Sequence, residues 1–508
     1  MAQLREDFPA RMRESDGLRQ KTITGVIWSA LMQFGQLTAW FLVTVLLARL
    51  LTPKDFGLIG MVTVFTGFAV LINEFGFGSA LIQRQDIEER HLNSVFWLNV
   101  VTGFAFTVLF IAASPLIARL YNEPALIPLT SVVALSFAIS SLKVVQHALL
   151  NKSMDFRRLA IINVAAVFVA GLIAVGMALT GFGVWSLVAN LLIMASIQVL
   201  LMWRLSRWRP KFEWDTQAIR ELFGFSANLV GFRVLNYWTS NADNLLIGKF
   251  ISAAALGIYG RAYEFRILPL VLGSWVLDKV MFPALSAIQH DKRRVKQFFL
   301  RGNRTIALLT FPMMMGLLVI ARPFTLAVFG QKWEAAIIII QIFCVEAMGR
   351  SILTTSGWIY LSQGRTDIQL RWEILVGIVR FLSIIVGLRW GAAGVAAAWT
   401  FSLYFILWYP SWTIVGRLIG MRATEVLSNV ASIFLCSAIM AGAVFLAGLA
   451  LPESNYWLRV AVQVPLGAAV YMLVIHFLKV RAYLEVRELV AEQWRLRYGK
   501  TADLAVHS

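Results

Sequence analysis

Twelve ionisable residues interrupt apolar stretches of this chain, and their spacing sets out what chemistry they can do. Glu346 and Arg350 stand four apart with the acid first, the order that favours an ion pair along one helix face. Arg261 and Glu264 stand three apart and can pair in the same way. For these four, mutual neutralisation is the plain alternative to a functional role. Lys143, Arg233, Arg266 and Arg380 have no opposite charge one helical turn away, so they require partners from other helices, lipid headgroups or a ligand. The remaining acids are Glu74 and Asp243. A further pair, Asp278-Lys279, falls near the end of its run, where the lysine can reach an interface. Charges inside a bilayer are costly and face a bundle interior or a water-filled cavity. Unpaired cations there would attract an anion. Asn73, Asn163, Asn190, Asn228, Asn236, Asn241 and Gln341 add hydrogen-bonding groups within the runs, each of which could equally bridge two helices. Cations and amides together describe a cavity able to hold a phosphate and many hydroxyls. The candidate substrate-binding residues are Lys143, Arg233, Arg266, Arg350, Arg380, Asn236, Asn241 and Arg261. The candidates for ion coupling are Glu74, Asp243, Glu264 and Glu346.

The elements that position these residues follow from composition. Of 508 residues, 59% are hydrophobic and 15% charged, with a mean hydropathy of +0.71. A soluble protein of this size could not cover so much apolar surface, so the chain is an all-α polytopic membrane protein. The runs are long and continuous, unlike the ten-residue alternation of a barrel. At about 20 residues per crossing, fourteen runs emerge: 22–49, 57–81, 94–118, 127–150, 159–180, 183–203, 221–247, 257–282, 304–328, 336–361, 372–388, 393–415, 425–450 and 457–478. On that frame Arg233 lies roughly 18 Å and Arg266 roughly 14 Å into its helix at 1.5 Å per residue.

The net charge of +18 would suit nucleic acid, but the cations collect in short segments between runs. With the N-terminus inside, the inner segments hold 31 of the 46 lysines and arginines and the outer loops and their edges hold about nine. That is the positive-inside asymmetry, and it places both termini in the cytoplasm. Residues 1–21 form a cytoplasmic tail with no cleaved signal peptide expected. Cys344 and Cys436 fall inside apolar runs, so no disulfide framework is expected.

An internal repeat divides the runs. ARLLTPKDFGLIG at 48–60 is echoed 200 positions later by GKFISAAALGIYG at 248–260, with Gly57 and Gly60 matching Gly257 and Gly260. This gives a six-helix lobe at 22–203, a cytoplasmic linker at 204–220, a second six-helix lobe at 221–415, and two extra transmembrane helices at 416–478. A cytoplasmic tail with an amphipathic helix follows at 479–508. Six is even, so the repeat is parallel. The copies differ: Met61, Val64 and Thr66 stand where the second copy has Arg261, Glu264 and Arg266. The cavity's charge is therefore expected mostly in the second lobe.

Enzyme chemistry is weakly supported. Gly248-Lys249 and Gly499-Lys500 lack the upstream glycine of a phosphate-binding loop, the five histidines lack ligand spacing, and no G-x-S-x-G elbow occurs. No metal and no cofactor are expected.

The sequence resembles the polysaccharide flippases of the multidrug/oligosaccharidyl-lipid/polysaccharide exporter superfamily. The likeness rests on ARLLTPKDFGLIG at 48–60, FGFGSALIQR at 75–84, LFGFSANLVGFR at 222–233, NADNLLIGKFISAAALGIYGRAYEF at 241–265 and VFGQKWEAAIIIIQI at 328–342. It implies two six-helix lobes around a cavity that opens alternately to each side. It implies undecaprenyl-pyrophosphate-linked oligosaccharide as cargo, moved across the bacterial inner membrane for exopolysaccharide, capsule or O-antigen synthesis. The partners would be membrane lipids and the polysaccharide polymerase and export machinery, with no nucleic acid. Two alternatives stay open: a multidrug or cation antiporter of the same superfamily, which would call for cavity acids outnumbering bases, and a membrane polysaccharide polymerase, which would call for a long outer loop.

Overall fold

In the computed structural model, the described residues are 35–73, 81, 86–153, 155–485 and 487–488, without the side chains of 70–73, 222–233, 235 and 268–280. Among them the secondary structure is helical throughout. The first set is α1 (Gly35–Leu50), α2 (Pro53–Asn73), α3 (Glu89–Tyr121), α4 (Leu126–Ser141), α5 (Val144–Lys152), α6 (Phe156–Leu179) and α7 (Trp185–Leu205). The second is α8 (Thr216–Phe250), α9 (Ala253–Ala287), α10 (Lys292–Val328), α11 (Ala336–Leu353), α12 (Ser356–Ser362), α13 (Thr366–Gly387), α14 (Gly391–Phe401) and α15 (Trp408–Ile419). Two further helices follow, α16 (Ala423–Leu449) and α17 (Tyr456–Phe477).

The repeat is visible as matching elements in matching order. The third helix is the long one in each set, 33 residues in α3 and 37 in α10. The fourth is interrupted in each: a two-residue turn at Leu142-Lys143 separates α4 from α5, which are bent by 45°, and Thr354-Thr355 separates α11 from α12. Eight described helices, or nine with the bent pair, are long and apolar enough to cross a membrane, and one of the eight stretches, Thr366–Ile419, has 54 residues. At about 20 residues per crossing that stretch suffices for two spans. Of the other helices in the expected fourteen, the expected runs of α1 and α2 extend beyond the described residues, and α8 and α9 are described without some of their side chains. Large apolar side chains face outward along the helices, among them Leu116, Leu200, Phe405 and Phe477, each at least 67% exposed. In water such a surface would drive aggregation; in hydrocarbon it is the ordinary solvent-facing surface.

Contacts group the chain into two compact units, Met1–Gly257 and Ile258–Ser508. The first unit takes in α8 because that helix packs against α2 and α3. Its start is fixed by the linker. Asp215 caps α8, accepting from the backbone N–H of Gln217 and Ala218, and these donors hold its carboxyl below the ordinary aspartate value. The linker is in turn laid on the first turns of α3: Asn93 donates to Glu213 at 2.8 Å, Arg90 reaches Asp215 at 3.2 Å, and Lys211 pairs with Glu89.

Within the same unit the matching glycines meet the opposite copy's turn. A Cβ on Gly57 would overlap the carbonyl of Ala253, and a Cβ on Gly257 would overlap the carbonyl of Pro53. Pro53 and Ala253 are themselves 200 apart. The first turn of each hairpin therefore rests directly on backbone of the other, an approach open only to glycine. Farther along α2, the Tyr237 hydroxyl donates to the Val64 carbonyl at 2.6 Å beside Gly67, whose missing side chain makes room for it.

Candidate functional site

The second unit gathers four of the sequence candidates. α9 carries Arg266, α11 carries Glu346 and Arg350, and α13 carries Arg380. Glu346 is wholly buried and Arg266 is 2% exposed. The two approach to 2.7 Å between Nε and Oε2, an ion-pair distance, but the N–H does not point at the oxygen. Among the described residues neither Nε nor Nη1 of Arg266 has a hydrogen-bond partner, and neither does Oε2 of Glu346. Arg350 reaches the other carboxylate oxygen more loosely, at 3.6 Å, and is about one-third exposed. Arg350 also lies within electrostatic reach of Arg266 and Arg380. Two guanidiniums, those of Arg266 and Arg350, thus share one buried carboxylate, with Arg380 near Arg350. Glu373, exposed on α13, acts on Arg350 only through space.

Aromatic rings hold this arrangement. The Arg266 guanidinium lies 4.5 Å from the Tyr263 ring centroid and 5.5 Å from that of Phe343, and Arg380 lies 5.3 Å from the Trp399 ring. Such faces stabilise a desolvated cation by about 2 kcal/mol or more. The Trp399 indole N–H donates to Glu346 Oε1 at 3.0 Å. The same tryptophan therefore holds the carboxylate at its edge and a guanidinium on its face.

Trp399 reaches α11 through an unusual turn. Between α14 and α15 the residues Ser402–Leu407 form a π-helix. Residues five apart in an α-helix point about 140° apart at 3.6 residues per turn, whereas a π turn carries one extra residue and brings them into line. Trp399 and Tyr404 consequently both face α11: Trp399 bonds Glu346, and the Tyr404 hydroxyl donates to the Val345 carbonyl at 2.6 Å. Gly349 leaves space for that hydroxyl.

The other described candidates make contacts of their own. Arg261 and Glu264 pair with each other at 2.9 and 3.0 Å, a well-formed fork on one helix face. In the first unit, Lys143 donates to Gln198, and Gln198 donates to Asn163 at 3.2 Å. Asn241 donates back to the Tyr237 carbonyl of its own helix, Asp243 is buried and accepts from the Asn244 N–H, and Asn236 is exposed. The side chain of Arg233 and all of Glu74 lie outside the described residues, as do the side chains of Asp278 and Lys279. The contrast drawn from the repeat is visible in burial: Met61, Val64 and Thr66 are apolar or hydroxyl core residues of α2, where α9 presents Arg261, Glu264 and Arg266. Sequence reading missed Trp399, Tyr263, Phe343 and Tyr404. The available signals were Trp399 as the one large residue in GAAGVAAAWT and the four-residue spacing of Tyr404, Trp408 and Trp412.

Residues 46–338 match the family model described as polysaccharide biosynthesis protein. The chain belongs to that family. Its relatives include the teichuronic acid biosynthesis protein TuaB of Bacillus subtilis, 28% identical over 463 residues that cover 89% of this chain and 93% of TuaB. They also include the succinoglycan biosynthesis transport protein ExoT of Rhizobium meliloti, 30% identical over 336 residues, covering 66% of this chain and 67% of ExoT. In three dimensions the chain is similar to the lipid II flippase MurJ in an inward closed conformation, with a TM-score of 0.72 and 15% identity over 91% of this chain and 100% of MurJ. At that identity the likeness establishes a shared fold. The family-model match runs from within α1 to the start of α11, and so includes Arg266 but stops short of Glu346, Arg350 and Arg380.

Proposed function

We propose that the chain carries undecaprenyl-pyrophosphate-linked oligosaccharide units across the bacterial inner membrane by alternating access, with Arg266, Arg350 and Arg380 as the countercharge for the passing pyrophosphate. The observation that carries this reading is the arrangement around Glu346: two guanidiniums on one buried carboxylate, and an Arg266 whose Nε and Nη1 lack hydrogen bonds among the described residues. A structural ion pair buried for stability alone is a poor investment, since apolar replacements often do as well. An excess of buried cation is explained by a ligand that supplies the missing anion. The family membership and the names of the relatives support polysaccharide precursors as the cargo class, and translocation rather than bond-making chemistry.

Orientation follows the cation count of the loops, with both termini in the cytoplasm. The polymerase and export machinery are proposed partners that would receive the flipped unit. Asp243, Glu264, Glu346 and Glu74 are proposed for coupling to an ion gradient. The test is single replacement of Arg233, Arg266, Arg350 and Arg380 by alanine in a strain lacking the chromosomal copy. Polysaccharide export and the amount of protein in the membrane are then measured together. Export is expected to fall at least tenfold for Arg266→Ala; normal export from all four at normal protein levels would refute the cationic station.

A further inference from the structure

We infer that Glu346 is a resident anion which the passing phosphate displaces, and that this exchange sets both the selectivity and the reversibility of the arginine cluster. The inference rests on the flippase reading and adds a specificity-determining residue to it.

Three features of the geometry carry it. First, the Glu346–Arg266 contact is close without being locked. At 2.7 Å the charges touch, but Arg266 Nε and Glu346 Oε2 form no hydrogen bond. The Arg261–Glu264 pair on the same helix α9 shows what a settled pair looks like here, a two-pronged fork at 2.9 and 3.0 Å. Fork geometry is the strong and specific one; Glu346 occupies the position of an anion without making its best bonds. Second, Glu346 has an alternative partner on its other oxygen, the Trp399 N–H at 3.0 Å. A carboxylate released by the arginines therefore keeps one hydrogen bond in a buried setting, which lowers the cost of letting go. Third, a transport site must bind well enough to admit its ligand and weakly enough to release it. A desolvated Arg266 beside Arg350, with no internal competitor, would hold a diphosphate too tightly to turn over. A tethered carboxylate that re-enters the cluster restores the charge balance as the ligand leaves.

Selectivity follows from the same competition. A ligand with one negative charge offers the arginines no more than Glu346 already does. A diphosphate diester offers two charges on adjacent groups and wins the exchange. The residue thereby favours diphosphate-linked lipids over singly charged phosphodiesters, and Trp399 is a positioning residue that decides how readily the carboxylate swings aside.

The experiment uses the full-length purified protein in detergent. The probes are a doubly charged dialkyl diphosphate diester and a singly charged dialkyl phosphate of matched chain length, with affinities read by thermophoresis and export read in the deletion strain. Glu346→Gln is expected to bind both probes more tightly, the singly charged one by about tenfold or more, so that selectivity shrinks, while export per protein falls through slow release. Glu346→Asp is expected to restore the discrimination. Trp399→Phe keeps a ring beneath Arg380 and removes the donor from Glu346; it is expected to shift affinity the opposite way, weakening diphosphate binding about threefold. Opposite signs for the two variants cannot come from a general loosening of the fold. Weaker binding in Glu346→Gln with selectivity unchanged, or the same direction of change in both variants, overturns the inference while leaving the cationic site standing. Arg266→Ala with unaltered diphosphate binding instead overturns the site reading on which it rests.

Discussion

The interrupted fourth helix occurs twice in this chain, and the two copies place a cation at the interruption in different company. In the first, Lys143 stands in the turn between α4 and α5 and donates to Gln198, which passes on to Asn163. In the second, Arg350 lies one turn before the break between α11 and α12 and shares Glu346 with Arg266. One backbone design thus holds a chain of amides in one copy and a dense charge cluster in the other. Amides can be satisfied by one another at modest net energy, about 1 kcal/mol per bond. Clustered like charges in a buried setting repel, and they persist where something other than stability maintains them.

The strongest way to break this comparison is to attack where the copies remain alike. Gly57 and Gly257 rest on each other's opposite turns, with no room for a side chain. Gly57→Leu and Gly257→Leu are each expected to reduce export more than twentyfold, because backbone cannot retreat as a flexible side chain can. Gly60→Ala, which would meet only the Leu256 side chain at 3.2 Å, is expected to stay within twofold. Equal losses for Gly57 and Gly60 in an export assay would show that the close approach is incidental. Next in size comes the contrast between copies. Arg266→Ala should lower export tenfold or more, and Lys143→Ala less than threefold at matched protein levels; a reversed order would move the charge-bearing role to the first copy. Arg350→Ala should be intermediate, about three- to fivefold, since its contact is 3.6 Å and its side chain is one-third exposed. Smallest is Gln198→Ala, expected to cost about 1 kcal/mol of stability in thermal denaturation with export nearly unchanged. A loss of export without a loss of stability there would promote the amide chain to a functional part.

Much of the architecture was legible because membrane proteins write their spans in composition. The parallel repeat was readable from Gly57, Gly60, Gly257 and Gly260, and of these Gly57 and Gly257 are glycines because each lies directly on backbone of the other copy's turn. Glu346–Arg350 was readable as a local pair, since four residues make one helical turn. Its link to Arg266 was not, because 80 residues separate them and only packing of α9 on α11 brings them together. Trp399 was invisible for a different reason. A tryptophan at the end of an alanine-rich run reads as filler or as an interfacial ring, and nothing in the letters announces that the next turn widens. The interruptions of α4 and α11 were equally hidden, since threonine and lysine are ordinary within helices and neither break contains proline or glycine.

The wide turn at Ser402–Leu407 has a consequence for how this family is to be read. Letters before it and letters after it lie on two helical wheels that are out of step, so a single amphipathic projection of 391–419 mixes faces that never coincide in space. Removing one residue within the turn would rotate α14 against α15 by about 100°, and would carry Trp399 off Glu346 while leaving every residue of both helices in place. Among related chains, then, a one-residue gap at this point says more about the fate of the charge cluster than the identity of any residue flanking it. Counting positions there is a better guide to shared specificity than comparing them.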